Sequence, residues 1–254
     1  MFSSSVLAGI YDQQVSAPVV IGGGGSVTTI GSITDFRNNA GSRDIDFSGI
    51  AYQADDVAII NISCDAFQAS HSISFSEPGW EPNLFIDSQP LPGGPRNMQI
   101  FQFAKVMNAV EPVTQITNTQ TGSTEQWGYS LQVKRGVDTV NIFDVPYDES
   151  LHVDIDVNNS TPSNKPITTL TPNAEVNILH GWNATTNISV VRIPNSPAGL
   201  VAGQHQLGNT NIRFAHAYLP DAGAPGVVSP GPWEHTHSNE QDYWLLTYAL
   251  RSKP

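Results

Sequence analysis

The chain has 254 residues, enough to bury a sizeable core, with 23 acidic against 11 basic side chains and a net charge of −12. That balance excludes nonspecific binding to DNA, RNA or anionic lipid, which is built on Lys and Arg. A single cysteine excludes an intrachain disulfide, and no apolar run approaches the ~18–20 residues of a membrane helix.

Only 13% of the residues are charged, while Gly (21) and Pro (18) are plentiful. Few long charged side chains and many turn formers favour short strands joined by loops over helices.

Residues 1–25 stand apart. Met1 to Ile10 lacks the basic start of a signal peptide, so synthesis in a host cytoplasm without export is expected. Ser3–Ser5 and the four glycines Gly22–Gly25 bracket an apolar segment, 15–21. Four consecutive glycines make a flexible joint. The segment reads as a docking arm, with Val15, Val19, Val20 and Ile21 as its partner-binding residues, or as a plain disordered tail.

From Ser26 onward the hydrophobic period is two. Strands are expected over 27–33, 57–64, 72–75, 98–107, 174–182, 188–193 and 243–250. The clearest alternation places Trp127, Tyr129, Leu131 and Val133 on one face, with Gly128, Ser130, Gln132 and Lys134 on the other. Leu151, Val153, Ile155 and Val157 form a second inward row, and Ile212, Phe214, His216 and Tyr218 a third. This is the pattern of half-buried antiparallel strands. Ten or more short strands with Pro/Gly/Asn turns predict an all-β, antiparallel two-sheet sandwich of jelly-roll type. One domain over 26–254 behind the arm is the preferred parse, although 151–193 can be read as a smaller β unit. The best helix candidate, 197–201, is too short to matter.

Tests for chemistry are mostly negative. Asp154-x-Asp156-x-Asn158 opens like a calcium loop, but the required Gly and Glu positions hold Asn159 and Lys165. No Gly-x-Ser-x-Gly, Walker, His-Glu-x-x-His or Cys-x-x-Cys motif is present. The segment Glu234-His235-Thr236-His237 is the one place where a metal is conceivable, with His216 or His205 as a third ligand; an exposed polar loop is the expected state, and no metal or cofactor is called. Sequons at Asn61, Asn159, Asn183 and Asn187 read as by-products of an Asn- and Thr-rich composition. Cys64 reads as a small buried hydrophobe. Trp80, Trp182 and Trp233 adjoin Gly, Pro or strand ends; they are candidate glycan-facing rings, weighed against packed corner plugs. Trp127 and Trp244 lie in strands and belong to the core.

The stretch from Asp56 to Phe143 also resembles a family. Asp56-Val57 opens an aliphatic strand, Gly79-Trp80 forms a corner, Lys105-Val106 closes a second strand, and Arg135-Gly136-Val137 ends an aromatic one. That order is similar to a run found in virion proteins of tailed bacteriophages. It covers about a third of the chain, with weaker echoes to the C-terminal Asp242–Leu250. The resemblance implies a non-enzymatic structural protein on a virus particle: capsid decoration, head fibre or tail component. Its partners would be other virion proteins and further copies of itself, in a homo-oligomer such as a trimer, with no nucleic acid or membrane. The alternative expectation is a carbohydrate- or receptor-binding adhesion module that meets a host surface glycan. A polysaccharide-degrading enzyme is the third.

Overall fold

In the computed structural model the residues described are 26–66, 69–88, 98–148, 152–155, 161–183, 191–206, 212–235 and 242–254. They form an all-β structure, and no helix occurs among them.

Eight strands make up the first half: β1 (Thr28–Arg37), β2 (Gly41–Ile45), β3 (Val57–Asp65), β4 (Ala69–Phe75), β5 (Glu81–Ser88), β6 (Met98–Val106), β7 (Thr114–Gly122) and β8 (Trp127–Arg135). A central sheet has the order β1-β8-β3-β6-β5, and a small sheet the order β2-β7-β4. The antiparallel pairs β1·β8, β2·β7 and β3·β6 are nested, like the rungs of one long hairpin rolled over on itself. The pairs β8·β3 and β7·β4 complete the two sheets. This is a jelly-roll winding. One strand departs from it: β5 pairs with β6 on the rim of the central sheet instead of lying beside β4. Pro82 explains why β5 belongs at a rim, since it cannot donate to a ladder, and the register shifts there, between Pro82 and Leu84.

The second half supplies β9 (His152–Ile155), β10 (Ile167–Thr168), β11 (Glu175–Asn183), β12 (Val191–Arg192), β13 (Val201–Gln206), β14 (Ile212–Leu219), β15 (Val227–Val228), β16 (Glu234–His235) and β17 (Asp242–Leu250). Five of these form a second large sheet, β13-β14-β11-β17-β9, and the others two short ribbons, β10·β15 and β12·β16.

The central sheet is packed on both faces. Even-numbered residues of β3 (Ala58, Ile60, Ile62, Cys64) join Trp127, Tyr129, Leu131 and Val133 of β8 against Ile45 and Ile116 of the small sheet. Odd-numbered Val57 and Ile59 join Ile100 and Ala104 of β6 against Leu179, Trp244, Leu246 and Leu250 of the second large sheet. Every residue of β3 is therefore buried. The outer face of the second large sheet is covered in turn: Ile178, Ala215, Ala217 and Leu245 pack under Trp233.

This layering corrects one expectation. Gly128, Ser130, Gln132 and Lys134 lie on the face of β8 opposite Trp127, and they are buried. A polar row in a strand marks solvent only when no third layer covers it. One further difference is local: residues 197–199 form a turn that leads into β13. Of the strand expected over 188–193, β12 takes up Val191–Arg192, and residues 188–190 lie outside those described. Strands β2, β5, β7 and β13 escape the alternation reading. In β7 the inward positions are Thr114, Ile116 and Asn118, two of them polar.

Candidate functional site

The residues that carry the phage-like resemblance gather at one end of the central sheet. Asp56, beside the start of β3, receives two bonds from Arg135 at the end of β8: Nη2 to Oδ2 at 2.8 Å and Nε to Oδ1 at 3.0 Å. These bonds raise the pKa of the Arg135 guanidinium. Gly136 follows with φ of 82°, and a Cβ there would meet the Ser26 carbonyl at 2.8 Å, so glycine is required on two counts. At the other side of the sheet, Trp80 stacks on Phe75 at 4.6 Å and 14°. The Lys105 ammonium sits 6.0 Å from the Trp80 ring and is bonded to the buried Glu111 carboxylate at 2.6 Å.

Trp80 is thus buried, not glycan-facing. Trp233 is fully buried as well, with its indole N–H donating to Asn164 Oδ1 at 2.7 Å. Asn164 in turn donates to the Leu246 carbonyl at 2.9 Å, which ties this cap to the second large sheet. Both rings are corner plugs, because each closes an end of a layered core that would otherwise be open to water. Trp182 lies on β11, but its side chain is outside the described residues. The arm residues Val15, Val19, Val20 and Ile21 are outside them too, as is His237. The backbone of His235 pairs with Val191 in the β12·β16 ribbon. Among the described residues, no group of three or more His, Cys, Asp or Glu side chains is placed to hold a metal.

Two arrangements have chemical potential. The first is an open cleft of about 450 Å³ on the rim of the central sheet, where β5 and β6 meet the segment that follows β8. Glu81, Asn83, Val106, Thr139, Val140 and Phe143 are among its lining residues. Asn83 Nδ2 donates to Gln102 Oε1 at 2.6 Å, and Gln102 Nε2 donates to Asn61 Oδ1 at 2.6 Å. This amide relay runs from the cleft into the interior and holds the Asn83 side chain in place. A mostly apolar hollow with a few convergent polar groups is the usual form of a small-ligand site.

The second is a buried polar seam between the central and second large sheets. Lys134 Nζ lies 2.7 Å from Glu175 Oε1, with both side chains fully buried. It also donates to Thr29 Oγ1 at 2.7 Å and sits 4.4 Å from the Tyr218 ring centroid. Asn177 Nδ2 donates to the same Glu175 Oε1 at 3.0 Å. Asn177 Oδ1 is 2.9 Å from His216 Nε2. Gln132 Nε2 donates to His216 Nδ1, so Nδ1 is an acceptor and the ring proton is on Nε2, facing Asn177. Burial, and then the Lys134 charge, hold His216 well below the usual imidazole range. Burial also lowers the Lys134 pKa, with Glu175 opposing.

The sequence reading misses this seam. Its one signal is His216, which shares the inward row of its strand with apolar residues; Lys134, Glu175 and Asn177 stand out only when a third layer is known to cover them. No family model, no curated protein and no solved structure matches the chain.

Proposed function

We propose that this chain is a non-enzymatic structural protein of a bacteriophage virion, displayed on or cementing the particle surface as capsid decoration, head fibre or tail component. The observation that carries the reading is spatial. Asp56, Trp80, Lys105 and Arg135 are spread over 80 positions of sequence, yet Asp56 pairs with Arg135 and Trp80 with Lys105 across neighbouring strands of a jelly-roll sheet. They build part of the frame of the sandwich, and this supports the reading. The partners proposed are other virion proteins and further copies of the chain, reached through the N-terminal arm.

Two measurements test this. Gold-labelled antibody against the protein should decorate purified particles from the source phage. A chain beginning at Ser26 should remain folded but fail to incorporate into those particles or to form the native oligomer. Absence of label from every particle would remove the virion reading. Normal incorporation of the truncated chain would move attachment from the arm to the sandwich.

A second reading, a carbohydrate- or receptor-binding module, is favoured by the open cleft with Glu81, Asn83 and Thr139 at its wall. A glycan array separates it from the first. Binding that weakens at least tenfold in Asn83→Ala would support it, and no binding to any glycan would remove it.

A further inference from the structure

Lys134, Glu175 and Asn177 bring an amine, a carboxylate and a carboxamide together in one fully buried space. We propose that the folded chain joins Lys134 to Asn177 through an isopeptide bond that it forms on itself, tying β8 of the central sheet covalently to β11 of the second large sheet.

The geometry supplies the proton carrier and the oxyanion donor. Glu175 Oε1 touches both nitrogen atoms that must exchange protons: Lys134 Nζ at 2.7 Å and Asn177 Nδ2 at 3.0 Å. The carbonyl oxygen of Asn177 faces His216 Nε2–H at 2.9 Å, a donor placed where negative charge would develop. Glu175 and Asn177 are two residues apart on one strand, so both project toward the central sheet. Lys134, Glu175, Asn177 and His216 are all at most 1% exposed, so water does not compete for the amide. Burial of the ammonium also favours the free amine, the form that attacks.

The step balances as follows. Glu175 takes a proton from the Lys134 ammonium, and the freed Nζ lone pair attacks Asn177 Cγ. The carbonyl electrons move to Oδ1, held by His216 Nε2–H. Glu175 then gives the proton it holds to Nδ2 and takes the second Nζ proton in exchange. The Cγ–Nδ2 bond breaks, the carbonyl re-forms, and nitrogen leaves as ammonia, which takes that proton from Glu175 as ammonium. No oxidant or further reactant is needed. In a second Lys–Glu–Asn set, Lys105, Glu111 and Asn108, a buried carboxylate again meets both nitrogens, but the carboxamide is not enclosed. Its Asn108 is exposed and only three residues from the lysine, so it serves as an internal control.

Intact-mass spectrometry of the denatured full-length protein tests the proposal. The expected mass is lower than the sequence mass by one ammonia. Fragmentation of a digest should then yield a branched peptide linking the Lys134 and Asn177 segments. Glu175→Gln and Asn177→Ala should each restore the full sequence mass, and Asn108→Ala should leave the loss unchanged. The wild-type chain decides the matter even if a variant fails to fold. An unchanged mass in the folded wild type overturns the proposal, and so does a mass loss without the branched peptide.

Discussion

Asp56 and Arg135 hold each other through two parallel N–H···O bonds, although only Asp56 is buried: the side chains are 2% and 40% exposed. The Asp56 carboxylate also accepts the backbone N–H of Gln53 at 2.8 Å. One carboxylate thus fixes the loop before β3 and the end of β8 together. Hydrogen bonds to charged groups contribute more than neutral ones.

Asp56→Asn should therefore cost about 2 kcal/mol, because Arg135 can hydrate once it is released. Arg135→Lys should lose much of the same stability by giving up the fork geometry. Urea midpoints at unchanged slope measure both. A midpoint equal to that of the parent in Asp56→Asn would show that the pair contributes nothing.

Trp127 is buried between the central and small sheets, with its indole N–H donating to the Asn39 carbonyl at 2.9 Å. Trp127→Ala should cost about 3–5 kcal/mol, the range for a large-to-small change in a packed core. Tyr129→Phe, on the same face, keeps the buried ring and should cost about 1 kcal/mol or less. Thermal melts of the two variants would separate these effects. A parental melting temperature in Trp127→Ala would contradict the packing described for this face.

Gly181 and Trp244 are cross-strand partners on β11 and β17, and the indole lies over the glycine. A Cβ at position 181 would meet Trp244 ring atoms at 2.0 Å. Trp244 cannot step aside, being fully buried with its N–H on Ser63 Oγ at 3.1 Å. Gly181→Ala should destabilise by about 1–3 kcal/mol or more through overpacking. Adding Trp244→Leu should recover part of the loss, a non-additivity that a double-mutant cycle reads directly. Strict additivity of the two changes would refute the contact.

His216 gives stability a defined pH dependence. Its folded pKa lies well below 6.5, so above pH 6.5 it is neutral in both folded and unfolded chains and imposes no penalty. As pH falls below 6.5 the unfolded chain takes up a proton that the folded chain refuses. Stability should then fall by about 1.4 kcal/mol per pH unit on account of this residue. His71, also lowered chiefly by burial, acts in the same direction. Replacing His216 with Gln should flatten the curve of urea midpoint against pH between 6.5 and 5. An equally steep curve in the variant would assign the acid sensitivity elsewhere.

Period-two alternation in strands such as β8 and β14 determined by itself that the chain is all-β and antiparallel, because a side chain's face follows from its parity along the strand. It also determined that Trp127, Trp244 and Cys64 are core residues, since each sits in an inward row or an unbroken apolar run. Parity cannot say what covers a face, however. Ser130, Gln132 and Lys134 read as a solvent row, and only the packing of the second large sheet makes them an interior. The same holds for Trp80 and Trp233: beside Gly and Pro they read more readily as plugs than as open platforms, and Phe75 and Asn164 decide the matter. Nor does sequence distance bring Lys134 to Glu175, or Asp56 to Arg135. Those pairs exist because a jelly-roll winding sets β3 beside β8, and a further sheet sets β11 across from them, so the polar chemistry of the seam belongs to the tertiary structure.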